Sequence, residues 1–189
     1  MNPVHYFKGE FVEKERIHIS VDNVGFLRGY GVFEFFKAHG KQSLFMEDHL
    51  DRLFRSARGM NMTVPLSKQE IAGLVNELLR RNGFAYSSVK ILLTGGDSVD
   101  GFTPGEPEII ILNNTFTDAS DNLYQDGASL MLYKYQRDFP AIKSLYYATT
   151  VALQSEWKSK GHIDVLYHNG EEISEVSRSN VFVFKNGVL

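Results

Sequence analysis

Gly25-Phe-Leu-Arg-Gly-Tyr-Gly-Val-Phe-Glu-Phe-Phe-Lys37 sets three glycines ahead of a dense aromatic run. That order predicts a Gly-rich turn feeding a buried strand, because glycine takes up turn conformations closed to other residues and a short apolar run suits a covered sheet. The strand ends at His39-Gly40 and turns back into Ser43-Leu44-Phe45. Upstream, residues 4–12 alternate bulky and polar side chains about Lys8-Gly9, which reads as a short hairpin. Downstream, residues 47–60 place Leu50, Leu53, Phe54 and Ala57 on one helical face, with Asp48 to Arg52 and Asp51 to Arg55 at i,i+4 spacing. Ser67 with Glu70 forms a capping-box signature ahead of Ile71, Leu74, Val75, Leu78 and Leu79, and Gly83 stands where a second helix should end.

Residues 89–94 and 108–112 read as buried strands joined by a long Gly/Pro loop of the kind that lines sites. The stretch 113–126 is polar and aperiodic, so a domain boundary is expected there, giving domains over 1–120 and 121–189. In the second domain, residues 128–135 predict a strand, 144–160 a helix ended by Gly161, and 164–168 a strand turned by Asn169-Gly170. Residues 180–184 predict a last strand, followed by a hairpin turn at Asn186-Gly187. A returning strand of roughly five residues is expected after that turn, where Val188-Leu189 remain, so the chain is expected to be a fragment of a longer polypeptide or an unusually shortened one.

Composition narrows the function classes. Hydrophobic residues make up 43% and charged residues 23% of the 189 residues, close to soluble globular averages and against wholesale disorder. With 20 Lys and Arg against 23 Asp and Glu, the net charge of −3 provides no field to attract a nucleic acid. The absence of cysteine excludes disulfides and thiolate chemistry. No run of 18 apolar residues occurs, so no membrane span is expected and a cytoplasmic protein is the default. Six scattered histidines without metal-ligand spacing predict no metal site.

Candidate chemistry then falls to Lys, Arg, Tyr and Glu. Lys143 lies among Pro140-Ala141-Ile142 and Ser144-Leu145-Tyr146-Tyr147 rather than on a charged face. Burial there would disfavour its ammonium form and leave an amine able to make a Schiff base with an aldehyde. A lysine at a strand-to-helix junction whose amine reaches solvent fits the same spacing. Glu175 could hold a protonated ring nitrogen or be an exposed loop acid beside Glu171 and Glu172. Arg52 could grip a phosphate or pair with Asp48 on its own helix.

Read as an ordered set, four motifs resemble the class IV (fold type IV) family of pyridoxal-phosphate aminotransferases. Asp22-Asn-Val-Gly-Phe-Leu-Arg-Gly-Tyr-Gly-Val-Phe-Glu34 is close to the family's D-x-G-F-x-x-G-D-G-V-F-E, and His49-Leu-Asp-Arg-Leu-Phe-Arg-Ser-Ala57 follows it. Ala141-Ile-Lys-Ser-Leu-Tyr-Tyr147 is similar to I-K-S-L-N-Y, and Glu175-Val-Ser-Arg-Ser-Asn-Val-Phe182 to E-x-S-x-x-N-V-F. The resemblance implies an α+β or α/β architecture of two domains, a small N-terminal α/β domain and a β-rich, barrel-like C-terminal domain that is incomplete here. It also implies a homodimer with each active site between the two domains. Pyridoxal 5'-phosphate is the implied cofactor, with Lys143 as catalytic Schiff-base residue, Arg52 on the phosphate, Tyr147 on the ring hydroxyl and Glu175 on the pyridine nitrogen.

The implied substrates are an amino acid and a 2-oxo acid, with Phe33, Phe35 and Phe102 as apolar pocket walls suited to a branched-chain-like amino acid. The runner-up reading is a pyridoxal-phosphate-dependent 4-amino-4-deoxychorismate lyase, which releases pyruvate and 4-aminobenzoate, and the family also holds D-amino-acid aminotransferases. A non-catalytic assembly domain is the reading from another class. Tyr30, Tyr146 and Gly95 depart from the family's frequent Asp, Asn and Arg at those positions.

Overall fold

The computed structural model describes residues 2–189. They form two compact units, Met1–Asp118 with Ala141–Tyr146, and Ala119–Pro140 with Tyr147–Leu189. The expectation of a second domain over 121–189 therefore needs a correction. Residues 141–146 leave that stretch and pack in the first unit.

The first unit is built on a sheet of order β2-β1-β6-β5-β3-β4, antiparallel at every pairing, which makes it α+β. Its strands are β1 (Val4–Phe7), β2 (Glu10–Glu13), β3 (Gly31–His39), β4 (Gln42–Ser43), β5 (Tyr86–Thr94) and β6 (Glu108–Thr115). Along β3, burial alternates with the pleat, so Val32, Glu34, Phe36 and Ala38 face inward. Two helices, α2 (Met46–Gly59) and α3 (Lys68–Asn82), cover that face with Leu50, Leu53, Ala57, Ile71, Val75 and Leu78. Each such aliphatic side chain removed from water contributes about 1.5–3 kcal/mol, which makes this core the main store of stability in the unit.

Several local expectations are met and others corrected. The hairpin about Lys8-Gly9 forms, and Ser67 and Glu70 close the full capping box of α3. The turn expected before β3 is instead a short helix, α1 (Val24–Arg28), capped by the Asn23 side chain accepting from the Gly25 N–H. Strand β6 runs to Thr115 and α4 (Asp121–Asp126) follows, so the aperiodic stretch is partly ordered. The helix-surface pairs anticipated on α2 are replaced: Asp51 pairs with Lys68, and Arg52 with Glu34.

The second unit holds β7 (Leu130–Lys134), β8 (Asp164–His168) and β9 (Ile173–Val176), with β7 parallel and β9 antiparallel to β8. Met131, Trp157, Val165 and Tyr167 form its core. The helix expected over 144–160 starts at Ala148 and is split into α5 (Ala148–Ala152) and α6 (Gln154–Ser159). Its first residues are instead committed to pairing with β3 around Ser144. The strand expected over 180–184 is absent among the described residues; Val181–Phe184 are exposed and find no ladder partner, although the Asn186-Gly187 turn closes a bridge between Lys185 and Val188.

The α3 helix offers a paired test of its local determinants. Ser67→Ala removes the acceptor of the capping box and should lower stability by about 1 kcal/mol. Gly73→Ala adds a methyl where nothing lies within 4 Å and should raise stability by about 0.5–1 kcal/mol. Urea unfolding of the two variants should show midpoints displaced in opposite directions.

Candidate active site

The backbone of the first unit positions Lys143. Strand β3 pairs along its whole length with β5, and its other edge is shared. Ala38 and His39 pair there with β4, whereas Gly31 to Phe33 receive the segment around Ser144. The Phe33 N–H donates to the Lys143 carbonyl at 2.9 Å and the Leu145 N–H to the Gly31 carbonyl at 2.9 Å. Gly31 is required at this crossing, because a Cβ would lie 2.6 Å from both Leu145 Cδ1 and the Leu93 carbonyl oxygen. The Lys143 N–H donates to Ser56 Oγ on α2 at 3.3 Å, and its Nζ lies 4.6 Å from the centroid of the Phe33 ring. The lysine is half-buried against an aromatic face, with its main chain tied to both a strand and a helix.

One turn before Ser56 on α2 stands Arg52. Its Nε and Nη2 donate to Glu34 Oε1 and Oε2 at 2.6 and 2.7 Å, a side-on bidentate pair. The Glu34 side chain is fully buried, and His49 Nδ1 lies 2.8 Å from its Oε2. The His49 ring stacks on Phe36, with centroids 5.1 Å apart. Burial by itself raises the Glu34 pKa, and the hydrogen bonds from Arg52 and His49 outweigh it, leaving the carboxyl below the usual glutamate value.

The second unit brings Tyr147 and Glu175 to a common partner. Arg137 Nη1 donates to Glu175 Oε2 at 3.1 Å, and its guanidinium sits 5.2 Å from the Tyr147 ring centroid. Glu175 lies opposite Tyr167 in the β8–β9 register, and the buried Tyr167 hydroxyl shares a 2.8 Å hydrogen bond with Thr150 Oγ1. Burial raises the Tyr167 pKa despite that bond.

A family model for amino-transferase class IV matches residues 31–189. The chain belongs to the class IV aminotransferase family. A Methanocaldococcus jannaschii protein named "Putative branched-chain-amino-acid aminotransferase" is 30% identical over 194 residues, covering 97% of this chain and 66% of its own length. The D-alanine aminotransferase of Staphylococcus epidermidis is 24% identical over 188 residues, covering 97% of this chain and 67% of its own length. Among solved structures, the branched-chain amino acid aminotransferase of Escherichia coli superposes at a TM-score of 0.79 with 20% identity, over 94% of this chain and 63% of that one. Its likeness establishes the fold. The chain spans about two thirds of the length of these relatives.

The three phenylalanines expected to wall the substrate meet different partners. Phe33 faces Lys143, Phe35 tilts against Phe116 at 5.8 Å, and the Arg28 guanidinium lies 4.4 Å from the centroid of Phe102, whose side chain is exposed. Glu34, His49, Ser56 and Arg137 escaped sequence reasoning. A signal existed for Glu34, since its register places a carboxylate between Val32 and Phe36 on the covered face. Among the described residues no group of three or more His, Asp or Glu could hold a metal ion, and no helix is long and apolar enough to cross a membrane.

The depressed Glu34 pKa has a defined sign. The group contributes stability fully present above the ordinary glutamate value of 4.5 and lost as the pH falls through its lower folded value. Glu34→Gln should cost about 2–3 kcal/mol at pH 7, because it strips the charge from a buried pair. Thermal melts between pH 7 and 3 should show the wild type losing its advantage over this variant below about pH 4.5.

Proposed function

We propose that this protein is a pyridoxal 5'-phosphate-dependent aminotransferase moving the amino group of an apolar, branched-chain-like amino acid to a 2-oxo acid. The observation that carries the reading is Lys143, an amine set beside the Phe33 ring on a main chain locked to β3 and α2. When bound, the cofactor supplies an aldehyde for that amine and a ring that accepts electrons from the substrate's Cα–H bond.

The chain's own residues supply binding and proton movement. Arg52, its guanidinium plane set by Glu34, binds the phosphate. The Tyr147 hydroxyl donates to the oxygen of the ring hydroxyl. Glu175 accepts from a protonated ring nitrogen, and the carboxylate keeps lone pairs for that donor while Arg137 engages its Oε2. Lys143 Nζ takes the proton from substrate Cα and returns it during transfer, the work of a general base and acid. These donors fit the group: an amine, a guanidinium, a phenol and a carboxylate match an aldehyde, a phosphate, a ring hydroxyl and a pyridine nitrogen.

Phe33 beside the reacting amine favours an apolar substrate side chain. The branched-chain name of the 30% identical relative supports the same choice, and the D-alanine aminotransferases at 24–25% identity keep the D-series as the second reading. The lyase alternative is not carried forward, since the matched family and the relatives described are aminotransferases. A homodimer, which the family resemblance implies, and a cytoplasmic location complete the proposal.

Purified full-length protein mixed with pyridoxal phosphate should develop a visible absorption band that Lys143→Ala abolishes. Supplied with 2-oxoglutarate and a panel of amino acids, it should release 2-oxo acids fastest from L-leucine, L-isoleucine or L-valine. A colourless wild-type mixture overturns the cofactor assignment, and a preference for D-alanine replaces the substrate.

A further inference from the structure

We propose that Glu34 is a positioning residue: braced by His49, its buried carboxylate fixes the Arg52 guanidinium in the orientation that grips the cofactor phosphate. The inference rests on the phosphate role given to Arg52 above and concerns how that role is built. The Arg52 side chain is 40% exposed, so its long stem is not held by packing alone. Glu34 restrains it with two parallel hydrogen bonds, at 2.6 and 2.7 Å, which set the guanidinium plane as a single contact cannot. His49, stacked on Phe36 and bonded to the same carboxylate, restrains the acceptor in turn.

The register of β3 gives the arrangement its purpose. Phe33 fixes Lys143 through a backbone hydrogen bond, and the next residue, Glu34, fixes Arg52 through its side chain. Consecutive residues of one strand thereby set both the amine and the phosphate anchor. On α2, Arg52 and Ser56 are one turn apart, and Ser56 accepts from the Lys143 N–H, so the helix repeats the same spacing. A purely stabilising role is the weaker explanation, because buried ion pairs are commonly replaceable by apolar side chains without loss.

Orientation and charge make opposite demands, which renders the proposal testable. Removing a negative charge beside a bound phosphate should tighten phosphate binding by simple electrostatics, whereas removing the brace should weaken it. The experiment measures dissociation constants of the full chain for pyridoxal phosphate and for pyridoxal, which lacks the phosphate, by absorbance titration. The ratio of the pyridoxal constant to the pyridoxal phosphate constant isolates the phosphate contribution. Arg52→Ala should lower that ratio about a hundredfold and Glu34→Gln about tenfold, with pyridoxal affinity nearly unchanged in both.

In the Glu34→Gln background, Arg52→Lys should lower the ratio by less than it does in the wild type. A ratio that stays constant or rises in Glu34→Gln, while Arg52→Ala lowers it, overturns the positioning role and leaves the cofactor reading intact. An Arg52→Ala protein with the wild-type ratio overturns the phosphate assignment itself, and the positioning role with it. If circular dichroism shows Glu34→Gln unfolded, His49→Ala decides: a severalfold drop in the ratio supports the brace, and an unchanged ratio overturns it.

Discussion

Strand β3 has one edge that two separate segments must cover, and the candidate site depends on how they share it. The opposite edge is closed by β5 along the full length of the strand. An uncovered edge in the middle of a unit would leave main-chain donors and acceptors unsatisfied. The short β4 covers the far end, and the chain returns from the second unit's part of the sequence to cover the near end with Lys143 to Leu145. The lysine is therefore placed by main-chain hydrogen bonds, which tolerate no slip, since a shift of one residue would turn its side chain to the opposite direction. This also explains why residues 141–146 cannot continue the helix that follows them.

Each unit adds an arginine–glutamate pair, and their surroundings set what each can do. Glu34 has no exposed side-chain surface, so its charge is tolerable only because two donors meet it at short range. Glu175 is 30% exposed and receives a single longer bond from Arg137. Solvent screens the second pair more than the first, so its carboxylate is the more available for another donor. The contrast matches the roles assigned to them: the buried acid holds a neighbouring side chain, and the half-exposed acid engages a ligand.

Local signals in the sequence were sufficient for the elements that local forces decide. The hairpin about Lys8-Gly9, the capping box at Ser67 and Glu70 and the apolar stripe of α2 all depend on residues close in sequence, and each appears in the structure. What escaped was long-range pairing. The i,i+4 spacing of Asp48 and Arg52 pointed to a helix-surface pair, but a buried carboxylate on another element competes better for a guanidinium than a solvated one nearby. The same limit hid Arg137, which reaches Tyr147 and Glu175, 10 and 38 residues further along the chain. The resemblance supplied Arg52, Lys143, Tyr147 and Glu175 as a set, while the residues that hold them in place emerged only from the packing.

Two departures from the family pattern pack against each other. Tyr30 stands where Asp is frequent, and Gly95 where Thr-Arg-Gly often supplies an arginine. A Cβ at residue 95 would lie 2.6 Å from Tyr30 Cδ1 and 2.7 Å from Val24 Cγ2, so the tyrosine ring occupies the space that any side chain at 95 would need. The Tyr30 hydroxyl donates to the Met60 carbonyl just beyond α2, which anchors the ring there. With Tyr30 and Val24 packed as they are, position 95 has room for glycine alone. An arginine side chain at position 95 is closed to this chain by the same packing.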